Sequence, residues 1–261
     1  MQYKIICLDL DGTLLNDKKE VPEGNIDAIN KLYRDYGVIP VLVTGKNLSW
    51  AEHILSLFNE EIPKYAVVSN GGIVKDFNKE IFIRRKLINK ESRIKISEIA
   101  KKYNLGINIQ TETNDIHDEG VDYNINNEQL DITQVSLFGD EETLKLAINK
   151  INDTDKLEDT GIMIWRVAHG EKTHTSTYID IMAKGSTKAN GILILLKHLG
   201  LEVSDIITIG DGSNDIPMFE LGGFNVVMEN AECYLKKYAD HITTSNNENG
   251  VAKAIKHIFY N

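Results

Sequence analysis

Two aspartates, separated by one residue, follow the first apolar segment of this chain. The segment Ile5-Ile6-Cys7-Leu8 is typical of a buried strand, and Asp9 and Asp11 come directly after it. Because side chains two apart on a strand face the same way, we expect the two carboxylates side by side at the edge of the core. Burying like charges without a partner is costly, so a cation is expected between them, and a divalent metal ion is the simplest candidate. The alternative is an ordinary Asp-Gly turn, since Gly12 follows.

Polar residues also follow other predicted strands. Thr44-Gly45-Lys46 follows the apolar run 41–43, Ser69-Asn70-Gly71-Gly72 follows the strand 65–69, and Gly210-Asp211-Gly212-Ser213-Asn214-Asp215 follows the run 206–209. In doubly wound sheets, ligands bind beyond the carboxyl ends of the strands, so these clusters predict one shared site.

The residue types at this shared site suit phosphoryl transfer. Its four carboxylates, which are more than a Mg²⁺ ion needs from protein, belong to Asp9, Asp11, Asp211 and Asp215. Donors for phosphate oxygens are the Lys188 ammonium, the Thr44 hydroxyl and the backbone N–H groups of Gly12 and Gly45. Carboxylates, a metal ion and phosphate donors at one sheet edge are the parts that this chemistry requires.

A dinucleotide site is a competing interpretation of the Gly210–Asp215 segment, because a G-x-G pattern there follows a strand and precedes a helix. Asp215 occupies the third glycine position, and Asp211 would direct its carboxylate at a pyrophosphate. That repulsion excludes the dinucleotide interpretation.

Alternating strands and helices at both ends of the chain predict the fold. Fully apolar strands separated by amphipathic helices indicate an α/β fold, a doubly wound and mostly parallel Rossmann-like sheet. The middle of the chain has strands joined by loops, a few helices and an acidic loop at 111–122, which is typical of an α+β unit. We therefore predict a core domain from residues 1–82 and 185–261, with an inserted domain at 83–184.

Composition excludes several classes of protein. The 261 residues carry a net charge of −10, which argues against binding of nucleic acid or an anionic membrane surface. No signal peptide or membrane-spanning segment is expected, and Cys7 and Cys233 are expected as free thiols. A cytoplasmic protein is the default expectation, and its oligomeric state is not predicted.

The motifs resemble those of the haloacid dehalogenase superfamily of phosphatases. The order Asp-x-Asp-Gly-Thr at 9–13, Thr44-Gly45, Lys188 and Gly-Asp-x-x-Asn-Asp at 210–215 is that of its Cof-type branch, which carries a large α/β cap of type IIB. The resemblance covers about residues 1–82 and 185–261. It implies a Mg²⁺-dependent phosphatase for a small phosphorylated metabolite, with a sugar phosphate as the commonest choice.

The resemblance also implies the role of each site residue. Asp9 would be the nucleophile that forms an aspartyl-phosphate, and Asp11 would be the general acid and base. Thr44, Lys188 and Asn214 would hold the phosphoryl group. Asp211 would bind the metal with Asp9 and the Asp11 carbonyl, while Asp215 would bind it directly or through water, or orient Lys188.

Some departures from the family pattern leave alternatives open. Ala189 follows Lys188 where a glycine is usual, so Lys184-Gly185 competes for the lysine role, although Lys188 has the usual distance to the next strand. Lys46 stands where arginine is frequent and is expected to be peripheral to the chemistry. The candidate substrate contacts of the inserted domain are His117, Trp165, Arg166, His169, Lys172 and His174. A phosphomutase and a catalytically silent phosphometabolite binder are the alternative functions.

Overall fold

Two units make up the chain, one from Met1–Arg85 with Thr187–Asn261 and the other from Lys86–Ser186. The computed structural model describes residues 3–118, 125, 129–154, 157–168 and 175–260. Each unit has its own apolar core.

Thirteen strands lie within these described ranges. They are β1 Ile5–Leu8, β2 Ile39–Val43, β3 Tyr65–Val68, β4 Ile73–Asp76, β5 Ile81–Arg85, β6 Gly106–Thr111, β7 Asp115–Asp118, β8 Ile132–Gly139, β9 Thr160–Ala168, β10 Thr175–Ala183, β11 Ile206–Gly210, β12 Phe224–Val227 and β13 His241–Ile242.

The α-helices of the same ranges follow the predicted amphipathic segments. They are α1 Glu23–Tyr36, α2 Leu48–Leu55, α3 Lys90–Lys102, α4 Glu141–Asn152, α5 Lys188–Leu199, α6 Ile216–Phe219 and α7 Gly250–Phe259.

The first unit contains one eight-stranded sheet in the order β13-β12-β11-β1-β2-β3-β4-β5. Neighbouring strands from β13 to β3 run parallel, while β4 and β5 form an antiparallel hairpin at one edge. The central strands are fully buried because separate apolar clusters cover the two faces of the sheet. The predicted α/β fold with a mostly parallel sheet is confirmed.

The second unit is an antiparallel sheet in the order β7-β6-β8-β10-β9. Helices α3 and α4 share an apolar core with this sheet, in which Ile96, Leu144 and Ile179 are buried. The α+β character predicted for the middle of the chain is therefore present in this unit.

Local predictions fail at two places. The acidic loop expected at 111–122 includes β7, because Asp115–Asp118 pairs with β6 despite its polar composition. After β12, where the alternation of strands and helices predicts an α-helix from Ala231, the chain forms only a short 3₁₀ helix at Cys233–Tyr238. Asp115–Asp118 forms a strand because its main chain pairs with β6, and amino-acid composition does not indicate such pairing.

Three of the candidate substrate contacts, His169, Lys172 and His174, lie outside the described residues. His117 lies in β7, and Trp165 and Arg166 lie in β9. Within the described part of the chain, no helix combines the length and apolar character needed to cross a bilayer.

Candidate active site

Three adjacent parallel strands bring the predicted site residues to one edge of the sheet. In the register of the sheet, Leu8 of β1 is paired with Leu42 of β2 and with Ile209 of β11. The chain therefore leaves all three strands at nearly the same level, which places Asp9, Thr44 and Asp211 next to one another along this edge.

Lys188 reaches this edge from the first turn of α5. Thr187 caps the helix by accepting a hydrogen bond from the Asn190 N–H, at 3.2 Å. The Lys188 ammonium is buried and donates to Asp9 Oδ1 at 2.5 Å and to Asp215 Oδ1 at 2.6 Å. Of the two lysines considered for this position, Lys188 is the one that contacts Asp9, whereas Lys184 is exposed on the other unit.

Burial and unbalanced charge shift the protonation of this cluster. Burial, with the charges of Asp215 and Asp211, raises the pKa of Asp9 although the Lys188 ammonium opposes the shift. Burial and the Asp215 charge raise the pKa of Asp211 to about 6. Burial alone would lower the pKa of Lys188, but the adjacent Asp215 and Asp9 raise it. The site therefore has more negative charge than its single lysine neutralises.

Three carboxylates of this cluster are close enough to share a metal ion. One oxygen each from Asp9, Asp211 and Asp215 lies within 4.8 Å of the others. An all-oxygen donor set with excess negative charge fits a hard divalent cation. Such a cation would offset the burial and the repulsion that raise the pKa of Asp9 and of Asp211.

Both carboxylate oxygens of Asp215 accept hydrogen bonds from other residues of the chain. Its Oδ1 accepts from Lys188, and its Oδ2 accepts from the backbone N–H groups of Asp211 at 2.9 Å and Gly212 at 2.8 Å. These contacts suit a residue that orients Lys188 and the 211–212 loop.

Asp211 is held by residues of two other loops. Thr13 Oγ1 donates to Asp211 Oδ1 at 2.7 Å, and Asn230 Nδ2 donates to Asp211 Oδ2 at 3.3 Å and to the Gly12 carbonyl at 2.8 Å. Gly12 has a φ of +75°, and a Cβ there would lie 2.2 Å from Asp211 Oδ2. Only glycine fits this close approach without moving the carboxylate.

The Asp11 carboxylate pairs with two lysines that do not contact the acidic cluster in the described hydrogen bonds and ion pairs. This carboxylate accepts from Lys19 Nζ at 2.7 Å and is 3.1 Å from Lys46 Nζ. Burial would raise the pKa of Asp11, but the hydrogen bonds and charges of these two lysines outweigh it and hold the pKa below its usual value.

The remaining phosphate-binding candidates lie in two loops that meet at Asn70. Thr44 is buried, and its hydroxyl oxygen accepts from the Lys46 N–H at 3.1 Å, which leaves its hydroxyl proton for another acceptor. Asn214 Nδ2 lies 3.4 Å from Asn70 Oδ1, and a Cβ on Gly45 would lie 3.2 Å from the Asn70 side chain.

Comparison with known families identifies the chain. The family model of haloacid dehalogenase-like hydrolases matches residues 6–255. This chain belongs to that family. It is an enzyme of the hydrolase class.

Relatives of this hydrolase match along nearly their whole length. It is 30% identical over 258 residues to the Bacillus subtilis 5-amino-6-(5-phospho-D-ribitylamino)uracil phosphatase YcsE, covering 98% of this chain and 96% of the relative. The phosphatase YwtE of the same organism, named for the same substrate, is 30% identical over 282 residues, covering 95% and 96%. A haloacid dehalogenase-like hydrolase from Bacteroides thetaiotaomicron has a TM-score of 0.80 at 26% identity, covering 99% and 100% of the two chains.

Two contacts in this hydrolase give the Asp11 carboxylate surroundings that were not expected. Among the described residues, the Asp11 carboxylate pairs with Lys19 and Lys46, while Asp9, Asp211 and Asp215 are the carboxylates that lie close enough to share a metal ion. The physical reason is that β1 ends at Leu8, so the alternation of a strand does not extend to Asp11. Lys46, expected to be peripheral, contacts Asp11 directly.

The sequence predictions gave no role to Lys19, Thr13 or Asn230, although Thr13 ends the Asp-x-Asp-Gly-Thr motif. Asn230 could have been found, since it follows β12 at the same sheet edge as the other motifs. Lys19 could not have been found, because it lies in an irregular loop, where sequence spacing does not predict which way a side chain points.

Proposed function

We propose that this hydrolase is a Mg²⁺-dependent phosphatase that releases phosphate from a small phosphorylated metabolite through an aspartyl-phosphate. The observation that carries the proposal is the buried contact of the Lys188 ammonium with Asp9 and Asp215, together with a further carboxylate, Asp11, whose partners are two other lysines. A nucleophile and a separate proton donor are the two groups that this reaction requires.

In the first step, an Asp9 oxygen attacks phosphorus and the bond from phosphorus to the leaving oxygen breaks. Asp11 donates its proton to that oxygen, which departs as an alcohol or phenol. In the second step, water attacks the phosphorus of the aspartyl-phosphate while Asp11 takes one of its protons. Inorganic phosphate leaves and Asp9 is restored.

The phosphoryl oxygens need donors throughout both steps. We assign this role to Lys188, the Thr44 hydroxyl, the backbone N–H groups of Gly12 and Gly45, and Asn214. Such fixed donors stabilise the charge of the transferring group, and Lys188 is held in place by its buried contacts with Asp9 and Asp215.

Asp9, Asp211 and the Asp11 carbonyl are the proposed Mg²⁺ ligands, with Asp215 binding directly or through water. When bound, Mg²⁺ supplies the positive charge that neutralises the nucleophile and the phosphoryl oxygens. Asp215 would at the same time orient Lys188, as its contacts with Lys188 and the 211–212 loop support.

The relatives' names supply a first substrate to assay, 5-amino-6-(5-phospho-D-ribitylamino)uracil. Within this proposal, residues 1–82 and 185–261 form the catalytic domain, and residues 83–184 form a cap that selects the substrate. A panel of sugar phosphates and other phosphomonoesters, ranked by kcat/KM, tests the substrate class.

The decisive test replaces the nucleophile. Asp9→Asn is expected to lower kcat for p-nitrophenyl phosphate at least about 10³-fold, because the amide cannot form the acyl phosphate. Asp27→Asn is the matched control, since Asp27 is an exposed residue of α1. Excess EDTA is expected to abolish activity, and added Mg²⁺ to restore it.

Full activity of Asp9→Asn, or full activity in EDTA, would overturn the mechanism. Interconversion of sugar phosphate isomers without release of phosphate would favour the phosphomutase, and binding without turnover of any ester would favour the silent binder.

A further inference from the structure

An open cavity lies beside the proposed acid and base and has no role in the reaction described above. It has a volume of about 330 Å³ and is lined by Lys19, Ser49, Trp50 and His53. All four residues belong to the unit that contains Asp9 and Asp11.

Two lysines connect this cavity to Asp11. Lys19 lines the cavity and donates to Asp11 Oδ1 at 2.7 Å. Lys46 Nζ is 3.1 Å from Asp11 Oδ2 and 4.2 Å from the centroid of the Trp50 ring. A single ammonium group therefore separates the indole from the carboxylate that protonates the leaving oxygen.

The first turn of α2 fixes where Trp50 lies. Asn47 caps the helix and accepts a hydrogen bond from the Trp50 N–H at 3.3 Å. Leu48 and Ala51 bury the opposite side of this turn, while the Trp50 side chain stays partly exposed. The Lys46 ammonium against the ring adds a cation–π contact that restrains the indole further.

The donors around the ring define what would bind there. Ser49 and His53 are exposed on the same helix as Trp50, and Lys19 supplies an ammonium from the facing loop. A planar ring with in-plane acceptor atoms satisfies both features, because its face stacks on the indole and its acceptors meet the donors.

We propose that this cavity receives the leaving group of the substrate and selects esters whose leaving group carries a planar aromatic or heteroaromatic ring. This inference rests on the proposed phosphatase function. Trp50 is then a specificity-determining residue, supplied by the same unit as the nucleophile.

The test compares esters with different leaving groups in Trp50 variants. The substrates are p-nitrophenyl phosphate, with an aryl leaving group, and glycerol 3-phosphate and glucose 6-phosphate, which have none. Trp50→Ala is expected to raise KM for the aryl ester roughly three- to tenfold, the size of one stacking contact, with a smaller change in kcat. The kcat/KM values for the two other esters are expected to stay within about twofold, because neither places a ring on the indole.

Two further variants make the comparison specific. Trp50→Phe keeps an aromatic face and is expected to restore most of the affinity for the aryl ester. Tyr234→Ala removes another exposed aromatic side chain, one that lies outside the proposed site. It is expected to leave kcat/KM unchanged for all three substrates. Melting temperatures of all variants show whether the fold is retained.

The outcomes separate this inference from the function on which it rests. If the unaltered enzyme releases phosphate from no ester, the proposed function fails. If it is active but Trp50→Ala weakens all three esters equally, or weakens none, only the assignment of the cavity fails. A lower kcat/KM of Trp50→Ala for glucose 6-phosphate alone would also overturn the assignment of the cavity, since the indole would then contact a sugar.

Discussion

At the scale of single residues, Lys46 gives Asp11 an environment that its motif does not reveal. Lys46 and Lys19 both contact the Asp11 carboxylate and hold its pKa low. A general acid must carry a proton when the leaving oxygen departs, so an ionised Asp11 is not ready for that step. The two lysines are therefore expected to set the pH above which this step slows, because they lower the pKa of the group that must carry the proton.

Removing the Lys46 charge tests this account. Lys46→Met is expected to raise the pKa of Asp11, because a cation that favours the carboxylate is lost. Release of the alcohol from an alkyl ester such as glycerol 3-phosphate in a single turnover requires protonated Asp11, so the alkaline limb of its pH profile should move to higher pH. Lys46→Arg keeps the charge and should leave the limb nearly in place. A profile that is the same in all three proteins would show that Lys46 does not act on Asp11.

At the scale of elements, the start of α5 is fixed by the turn that follows β3. A lysine in the first turn of a helix is disfavoured by the helix dipole, and the contacts of Lys188 with Asp9 and Asp215 offset that cost. Gly71 has a φ of +89°, and a Cβ there would lie 2.0 Å from the carbonyl oxygen of Thr187. The turn therefore packs directly against the residue that caps α5.

The Gly71→Ala variant tests whether the position of Lys188 depends on the packing of Gly71 against Thr187. The left-handed conformation costs about 1–2 kcal/mol for alanine, and the clash with Thr187 should cost roughly 1–3 kcal/mol more. We expect a lower free energy of unfolding, measured by urea denaturation, and reduced phosphatase activity from a displaced Lys188.

Gly37→Ala is the matched control for Gly71→Ala. Gly37 has a φ of +69°, but a Cβ there meets no atom within 4 Å. The Gly37→Ala variant should therefore lose only the free energy of unfolding that the left-handed conformation costs, and it should keep full activity. Equal destabilisation of the two variants would show that the contact between Gly71 and Thr187 is unimportant.

At the scale of the whole molecule, the acidic cluster is part of a chain whose net charge is −10. The raised pKa values of Asp9 and Asp211 mean that the folded protein binds protons there more tightly than the unfolded chain does. The contribution of these groups to stability is therefore greatest at low pH and is lost as the pH rises through about 6 for Asp211. A bound cation would reverse that loss.

Binding of Mg²⁺ should consequently depend on pH. Protons and the metal compete for Asp211, whose pKa is about 6. Lowering the pH from 7.5 to 5.0 should weaken Mg²⁺ binding about tenfold or more, as measured by titration calorimetry. The rise in melting temperature with Mg²⁺ should shrink in parallel. An affinity that does not change between these pH values would exclude Asp211 as a ligand.

Much of the fold follows from local patterns in the sequence. Short apolar runs such as Ile5–Leu8 and Ile206–Gly210 form the central parallel strands, as their composition predicts. Motif positions after those runs predicted a shared sheet edge, and the Asp9, Lys188 and Asp211 side chains do lie there. β7 was missed, because its pairing with β6 is a contact that polar composition does not announce.

The sequence by itself determined which residues follow the central strands, that the sheet is mostly parallel, and which family the chain belongs to. Strand alternation and the parallel register are local rules, so they can be applied without coordinates. Only the tertiary structure decided that Asp11 pairs with Lys19 and Lys46 and that Trp50 stands beside them. Lys19 and Lys46 lie outside the helices and strands, where no repeating geometry fixes their direction, and their contacts depend on how separate segments pack.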